Sequence, residues 1–342
     1  YIVHGMNGFL TPAPHTDPVL INDAKKISDR ALQSISSGHN RYLKKTSDLT
    51  GFILAKPSQK YRNLISPLKE NISKKKQKYL PNISTIKHSF PKVKKVNPKL
   101  TVITVVRNDV CGLLKTINSV ASQTYNDFEY IIIDGQSTDR TISILKKIPN
   151  EFATWISEAD DGPYDAMNKG VKIASGDYVL FLNAGDTLFC DRTLEFCMDD
   201  DHRGADIIYG HHIYKPEGKA SAVHKAEWLP KTIESLKSGQ LDYSWLSGIP
   251  CHQSTITRSA LLRARPYDAK KYKIAADHDF LFSCLLNGAT SHHTNIVVSN
   301  YYGGGMSSQN IKKCVNEWKE IAINYSGNAA GVESFYDRGK FW

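Results

Sequence analysis

In the C-terminal two thirds of the chain, short apolar runs alternate with longer amphipathic stretches. The runs LTVITVV, YIIID and YVLFL are rich in β-branched and aromatic residues and are short enough to be buried strands. Between them, LLKTINSVASQ and YDAMNKGVKIAS carry apolar residues at helical spacing. Strands that alternate with helices predict right-handed βαβ units. We therefore expect an α/β domain whose mainly parallel central sheet is flanked by helices.

Each predicted strand, including a third one at TWISE, is followed by acidic and turn-forming residues. The four ends are Arg107-Asn108-Asp109, Asp134 to Asp139, Glu158 to Gly162, and Asn183-Ala184-Gly185-Asp186. One such end is typical of a turn. Because ligands of open α/β sheets bind outside the carboxyl ends of the strands, four such ends predict a site rich in oxygen ligands. Such a site suits a divalent cation between protein carboxylates and a substrate diphosphate.

These motifs, in this order, resemble the nucleotide-sugar half of glycosyltransferase family 2 over about residues 99–305. The resemblance implies the GT-A fold and an inverting transfer from a nucleoside-diphosphate sugar. It assigns the donor nucleotide to Val106, Asn108, Asp134, Ser137, Asp161 and Asn183. It assigns the metal, Mg²⁺ or Mn²⁺, to Asp186. The chain departs from the family here, because Asn183 stands where an Asp is usual and Gly185 where a second acid often is.

Sugar transfer also needs a general base, because an acceptor hydroxyl is a poor nucleophile. The stretch AADHDFLF places Asp277 and Asp279 before an apolar helical run, where an Asp is also a common helix cap. The family has a Glu-Asp pair at this position, and the resemblance implies that Asp277 is the base. Asp279 is then a helper or a structural cap. In CHQSTITR, the resemblance places His252 and Gln253 on the acceptor side, although a lone His is more often structural.

The rest of the chain is predicted to contain three further segments. Residues 1–70 resemble the C-terminal end of a family 4, GT-B type glycosyltransferase and predict a small α/β or helical extension. Residues 71–98 predict a linker, since the stretch from Asn71 to Lys99, counting Lys99, holds nine lysines and no acid. This basic run suits a solvated linker or contact with an anionic membrane. Nucleic acid is not expected, because no recognition helix accompanies it. Residues 306–342 predict a C-terminal helical segment.

The function expected from the resemblance is sugar transfer to a saccharide or lipid-linked acceptor in bacterial surface-polysaccharide biosynthesis. We expect a cytoplasmic protein with peripheral contact at the inner face of the plasma membrane. The chain has no apolar run of about 18 residues, no signal-peptide pattern and six scattered cysteines. Two alternatives stay open. The first is a nucleotidyltransferase, which should have a Gly-rich phosphate loop after the first strand. The second is a non-catalytic binding module, which would explain why acids are missing at positions 183 and 185 of the metal motif.

Overall fold

The structure is a computed structural model that describes residues 90–93, 97–199, 204–216 and 218–338. The predicted extension of residues 1–70 and most of the predicted linker lie outside the described residues. The domain boundaries in that part of the chain therefore stay predictions.

Nine strands of the described residues form one sheet. They are β1 (Leu100–Val106), β2 (Phe128–Asp134), β3 (Thr154–Ser157), β4 (Tyr178–Phe181), β5 (Thr187–Leu188), β6 (Ile207–Lys215), β7 (Ala222–His224), β8 (Thr255–Arg258) and β9 (Ser291–Tyr302). The order across the sheet is β3-β2-β1-β4-β8-β6-β9-β5, and β7 pairs with β6.

The first half of the sheet is parallel. Strand β1 pairs in parallel with β2 and β4, and β2 pairs in parallel with β3. In this register Val106 lies opposite Asp134, which in turn lies opposite Ser157. The strands therefore end at the same edge, and the polar residues that follow them converge there.

The second half of the sheet is mixed. Strand β8 is antiparallel to both β4 and β6, whereas β6 and β9 are parallel. The α/β class with a central sheet flanked by helices is confirmed. The apolar pattern of the short β8 run carries no signal of strand direction, so the antiparallel insertion was not predicted.

Helices cover both faces of the sheet. They are α1 (Val110–Ala121), α2 (Thr141–Leu145), α3 (Pro163–Ile173), α4 (Thr193–Cys197), α5 (Leu229–Ser238), α6 (Tyr243–Ser247), α7 (Ser259–Ala264), α8 (Ala276–Leu286), α9 (Met306–Gln309), α10 (Ile311–Tyr325) and α11 (Ala329–Arg338). Every residue of β1 is buried: Ile103 and Val105 join one core, and Leu100 and Val102 join the other. Alternate side chains of a strand point to opposite faces, so this run serves two helical layers.

None of the helices in the described part of the chain combines the length and the apolar character needed to cross a bilayer.

Candidate active site

The loops after β1 and β2 are tied together by hydrogen bonds. The backbone N–H of Asn108 donates to the Ser137 hydroxyl at 2.7 Å, and Asn108 Oδ1 accepts from the Thr138 N–H at 2.7 Å. Asn108 adopts a left-handed φ of 52°, a conformation that Asn tolerates better than most residues. The two loops thus form one polar rim, and the structure brings Asn108 and Ser137 together as the resemblance implies.

Asp134 lies at the base of this rim and is fully buried. Its Oδ2 accepts hydrogen bonds from the Ser137 N–H at 3.0 Å and the Ser157 hydroxyl at 2.6 Å. Its Oδ1 is buried and has no hydrogen-bond partner among the described residues. A buried acceptor without a donor is unfavourable, so this oxygen is suited to accept an N–H or O–H from a ligand.

Val106 and Asp161 contribute less directly to this rim. The Val106 side chain is buried in the core, and its carbonyl accepts from the Gly135 N–H at 2.8 Å. Asp161 is exposed, whereas a Cβ on Gly135 would collide with the carboxylate of the neighbouring Asp160. In the acidic loop before α3, Asp160 is therefore the residue that lies against the end of β2, whereas the resemblance named Asp161.

The turn Asn183 to Asp186 is held by helix α1. The Thr116 hydroxyl accepts from the Gly185 N–H at 3.0 Å and donates to the Asp186 carbonyl at 2.7 Å. Gly185 has a φ of +98°, a conformation that disfavours other residues. A Cβ on Gly112 would lie 2.8 Å from the Gly185 nitrogen. Gly112 thus allows the helix to reach the turn, and Thr116 fixes it.

Within that turn, the Asp186 carboxylate is an internal anchor. It is 4% exposed, and its Oδ1 accepts from the Tyr302 N–H at 2.8 Å while Oδ2 accepts from Gln253 Nε2 at 2.7 Å. Burial raises the pKa of Asp186 to about 6, although the hydrogen bonds from Tyr302 and Gln253 and the charge of Lys115 act against that rise. The carboxylate therefore joins the end of β9 to the His252–Ser254 turn of 3₁₀ helix.

This geometry does not fit the predicted role of Asp186 as a metal ligand. Both carboxylate oxygens are already hydrogen-bonded, and positions 183 and 185 hold Asn and Gly in place of acids. Within the described ranges, no group of three His, Cys, Asp or Glu side chains could hold a metal ion. A divalent cation needs several oxygen ligands with accessible lone pairs. Asp186, with both oxygens occupied, does not supply such ligands.

A second polar chain runs from Asn183 to Tyr164. Asn183 Nδ2 donates to His252 Nε2 at 2.9 Å, and His252 Nδ1 lies 2.9 Å from Asp277 Oδ2. The Tyr164 hydroxyl lies 2.7 Å from Asp277 Oδ1. Because Nε2 of His252 accepts from Asn183, its Nδ1 carries the proton and donates to Asp277. The chain joins the end of β4 to the start of α8.

Asp277 is held as a carboxylate in this chain. Burial alone would raise its pKa, but the nearby His278 and the hydrogen bonds from His252 and the Tyr164 hydroxyl together hold the pKa of Asp277 well below its ordinary value. The Asp277 side chain retains 12% exposure. It accepts from His252, Tyr164 and its neighbour's N–H. Since a carboxylate accepts about four hydrogen bonds, one lone pair stays open.

Glu317 fixes the backbone that leads into Asp277. This buried residue of α10 accepts from the N–H groups of Lys273 at 3.0 Å, Ile274 at 2.8 Å and Ala275 at 2.9 Å. A carboxylate at the start of a helix satisfies donors that have no partner inside the helix. Glu317 thereby sets where α8 begins and where Asp277 is presented.

Asp279 belongs to a different network. It is buried, its Oδ2 accepts from Arg265 Nη2 at 2.6 Å, and its Oδ1 accepts from the Tyr325 hydroxyl at 2.9 Å. These contacts join α8 to α10 and to the segment after α7. Of the two acids in AADHD, only Asp277 therefore lies in the chain that contains His252.

Sequence reasoning missed Thr116, Tyr164 and Glu317 as parts of this site. The helical spacing of YDAMNKGVKIAS makes Tyr164 an apolar position of a helix, and its hydroxyl gives no signal of its partner. Glu317 lies between the apolar residues Val315 and Trp318, and a carboxylate on a buried helix face is the one signal that indicated a specific role.

The chain is similar in sequence to known proteins. The profile of "Glycosyl transferase family 2" matches residues 101–263. A "PGL/p-HBAD biosynthesis glycosyltransferase" of Mycobacterium bovis is 31% identical over 230 residues, which cover 63% of this chain and 82% of that protein. An "uncharacterized glycosyltransferase" of Mycobacterium tuberculosis is 46% identical over 90 residues, or 26% of this chain and 34% of that protein.

Among solved structures, the mannosyltransferase PcManGT of Pyrobaculum calidifontis, in complex with GDP-Man and Mn²⁺, has a TM-score of 0.50. It is 14% identical, and the match covers 79% of this chain and 76% of that one. At this identity the likeness supports the fold alone. The match to the family profile lies within residues 99–305, and the resemblance of residues 1–70 to a family 4 transferase is not confirmed.

Proposed function

The chain belongs to glycosyltransferase family 2, and we propose that it transfers a sugar from a nucleoside-diphosphate sugar to an acceptor hydroxyl with inversion. The observation that carries this proposal is the position of Asp277. An ionised carboxylate with one open lone pair is joined through His252 to Asn183, at the edge where the parallel strands end. That arrangement suits a general base that faces the donor site.

In the proposed reaction, Asp277 accepts the proton of the acceptor hydroxyl. The oxygen forms a bond to the anomeric carbon while the bond from that carbon to the diphosphate breaks on the opposite face. His252 donates to Asp277 and keeps its carboxylate in one orientation, as an orienting partner does in other acid–base sites. A base of this kind contributes about 10²–10⁴-fold to the rate.

For the donor nucleotide, we propose the rim of the β1 and β2 loops. The unpartnered Oδ1 of Asp134 would accept from the base or the ribose, and Asn108 and Ser137 would line the same rim. Asn183 would contact the donor from the end of β4, with Val106 below it and Asp161 at the outer loop.

The acceptor and the cellular context are proposed only as broad classes. The M. bovis relative is named for PGL/p-HBAD biosynthesis. For this chain we propose a saccharide or lipid-linked acceptor, used in surface-polysaccharide assembly at the cytoplasmic face of the membrane. The contact of the basic segment up to Lys99 with anionic lipid likewise stays a prediction, because most of that segment lies outside the described residues.

The experiment is a donor screen with two readouts. The full chain is incubated with UDP- and GDP-sugars, and release of the nucleoside diphosphate is measured with and without added saccharide acceptors. Release of UDP or GDP supports a glycosyltransferase. Formation of pyrophosphate from a sugar 1-phosphate and a nucleoside triphosphate would instead support a nucleotidyltransferase. Binding of a donor without turnover under any condition would support a non-catalytic module.

A further inference from the structure

The turn after β4 lacks the acids that would bring a cation to the donor diphosphate. Asn and Gly occupy positions 183 and 185, and both carboxylate oxygens of Asp186 already accept hydrogen bonds, from the Tyr302 N–H and from Gln253. Negative charge nevertheless builds on a diphosphate as it leaves, and stabilising that charge is commonly the largest part of catalysis. Another positive group is therefore needed near this turn.

Two lysines lie beside it. Lys115 Nζ lies over the ring of Tyr302 at 2.7 Å from the ring centre, and Lys215 Nζ lies 5.6 Å from the same centre. Lys215 ends β6 and is in register with Tyr302, whose N–H binds Asp186. Lys115 precedes Thr116, which holds the turn at Gly185. Both ammonium groups are thus carried by elements that are fixed to the turn.

Neither lysine has a counter-ion within ion-pair distance among the described residues. Both side chains are partly buried. Burial, together with the charge of Lys215, lowers the pKa of Lys115 to about 8 against the opposing charges of Asp186 and Asp109. Two partly desolvated cations that repel each other are unfavourable unless an anion lies between them.

The backbone next to these lysines is open. Tyr302 is followed by Gly303, Gly304 and Gly305, and a Cβ on Gly304 or Gly305 would meet no atom within 4 Å. Gly304 also has a φ of +105°, which other residues rarely adopt. The N–H groups of Gly303 and Gly304 donate to the Lys215 carbonyl and the Ser308 hydroxyl. The open space at Gly304 and Gly305 leaves room for an anion to approach the ammonium groups.

We infer that Lys115 and Lys215 bind the diphosphate of the donor and neutralise its charge in place of a divalent cation. This inference rests on the proposed function, because it names the charge partner of the same donor. It differs from the family expectation in one consequence: nucleoside diphosphates bind this chain without a metal.

The test is calorimetric titration of UDP and GDP into the full chain, once in EDTA and once with Mn²⁺. We expect binding in EDTA that differs from binding in Mn²⁺ by less than about threefold, since the lysines supply the charge. Lys115→Met keeps the length of the side chain and removes its charge, and it should weaken diphosphate binding about tenfold or more. Lys215→Met should act in the same direction.

Two controls separate charge from folding. Lys172→Met removes an exposed lysine in the last turn of α3 and should leave affinity unchanged. UMP or GMP, which lacks the second phosphate, should bind wild type and Lys115→Met with affinities closer to each other than those of the diphosphates. Thermal melting checks that each variant is folded.

The outcomes are distinct for the two proposals. Diphosphate binding that needs Mn²⁺, or a Lys115→Met variant that loses UMP and UDP affinity equally, overturns the inference and leaves the proposed function standing. Failure of every tested nucleotide to bind with or without metal counts against the proposed function itself.

Discussion

Asp186 and Asp277 follow similar sequence signals yet occupy opposite environments. Each is an acid beside an apolar run, and each contacts the same short 3₁₀ helix: Gln253 donates to Asp186, and the adjacent His252 donates to Asp277. Asp186 receives its other hydrogen bond from a backbone N–H and is 4% exposed. Asp277 receives its bonds from an imidazole and a phenol and keeps 12% of its side-chain surface open.

The electrostatics separate the two carboxylates further. Burial dominates at Asp186 and raises its pKa to about 6, whereas His278, His252 and Tyr164 hold the pKa of Asp277 well below its ordinary value against the effect of burial. Burial at Asp186 disfavours the charged carboxylate, whereas the partners of Asp277 favour it. A general base must be oriented toward the substrate hydroxyl and accessible to it, and this geometric condition comes before the pKa. Asp277 meets these conditions and Asp186 does not.

The largest expected effect is that of Asp277→Asn on turnover. Asn keeps the size of the side chain but cannot take up a proton, so the transfer rate should fall by about 10²-fold or more. Donor affinity, measured by titration, should stay within about threefold, because the donor is proposed to bind at the β1 and β2 loops.

Asp279→Asn is the matched control for this variant. It changes the acid two residues away, which binds Arg265 and Tyr325 outside the His252 network. We expect it to lower the melting temperature and to cost much less turnover. An Asp277→Asn enzyme with near-wild-type turnover would show that Asp277 is not the base.

The next effect concerns stability. Asp186→Ala leaves the Tyr302 N–H and the Gln253 amide without an acceptor in a buried place, so the free energy of unfolding should fall by about 2 kcal/mol or more. Asp177→Ala removes a 55% exposed carboxylate that pairs with an exposed Lys99, and should change it by less than about 1 kcal/mol. Chemical denaturation measures both. Equal stability of wild type and Asp186→Ala would show that Asp186 is not a structural anchor.

The difference between these carboxylates explains what the sequence could and could not predict. The apolar runs predicted β1 to β4, and the α/β class followed from their alternation with helices. The carboxyl ends of β1, β2 and β3 converge as expected, because the parallel register places Val106, Asp134 and Ser157 side by side. That part of the site depends on local pattern and on a general rule of open sheets.

The role of Asp186 could not be predicted in this way. Its partners, the Tyr302 N–H and Gln253, lie 116 and 67 positions away along the chain. No local pattern reports which distant donor will reach a carboxylate. The same holds for Glu317, which accepts from the loop before Asp277 across 42 to 44 positions. Whether an acid is an anchor or a reactive group depends on such long-range partners.

The pH dependence of stability should also differ between the two sites. The folded pKa of Asp186 is raised to about 6, above the unfolded value of about 3.9, so the folded state binds the proton more tightly. Its stabilising contribution is present at low pH and is lost as pH rises through 6. The stability difference between wild type and Asp186→Asn should thus decrease between pH 4 and 6, by at most about 1.4 kcal/mol per pH unit.

Asp277 should behave oppositely. Its folded pKa is lowered, so its contribution is present above the unfolded value and is lost only at more acid pH. The difference between wild type and Asp277→Asn should therefore stay flat between pH 5 and 6.5, a range set about one unit above the ordinary pKa of Asp. Burial lowers the folded pKa values of His212 and His224 below the ordinary value, so these groups also make stability depend on pH in this range, because the unfolded chain binds their protons first. Both variants retain them, so the subtraction removes their contribution. Parallel slopes for the two variants would contradict the assignment.

The smallest effect tests how Asp277 is oriented. The Tyr164 hydroxyl lies 2.7 Å from Asp277 Oδ1 and 2.6 Å from the Ile274 carbonyl, and its ring packs against Tyr267 with 5.2 Å between ring centres. Tyr164→Phe keeps this packing and removes one hydrogen bond, worth about 1 kcal/mol, so kcat should fall about fivefold. Because that bond helps to lower the pKa of Asp277, the acid limb of the pH profile of kcat/KM should move to higher pH.

Tyr325→Phe is the matched control for this change, since it removes a hydroxyl from the other acid, Asp279. It should lower the melting temperature and leave the acid limb in place, because Asp279 lies outside the network of Asp277. A structural role of Tyr164 alone would give the same result as this control, namely a lower melting temperature with an unshifted limb. The shift of the limb in Tyr164→Phe, and its absence in Tyr325→Phe, therefore measures whether the phenol acts through the carboxylate of Asp277.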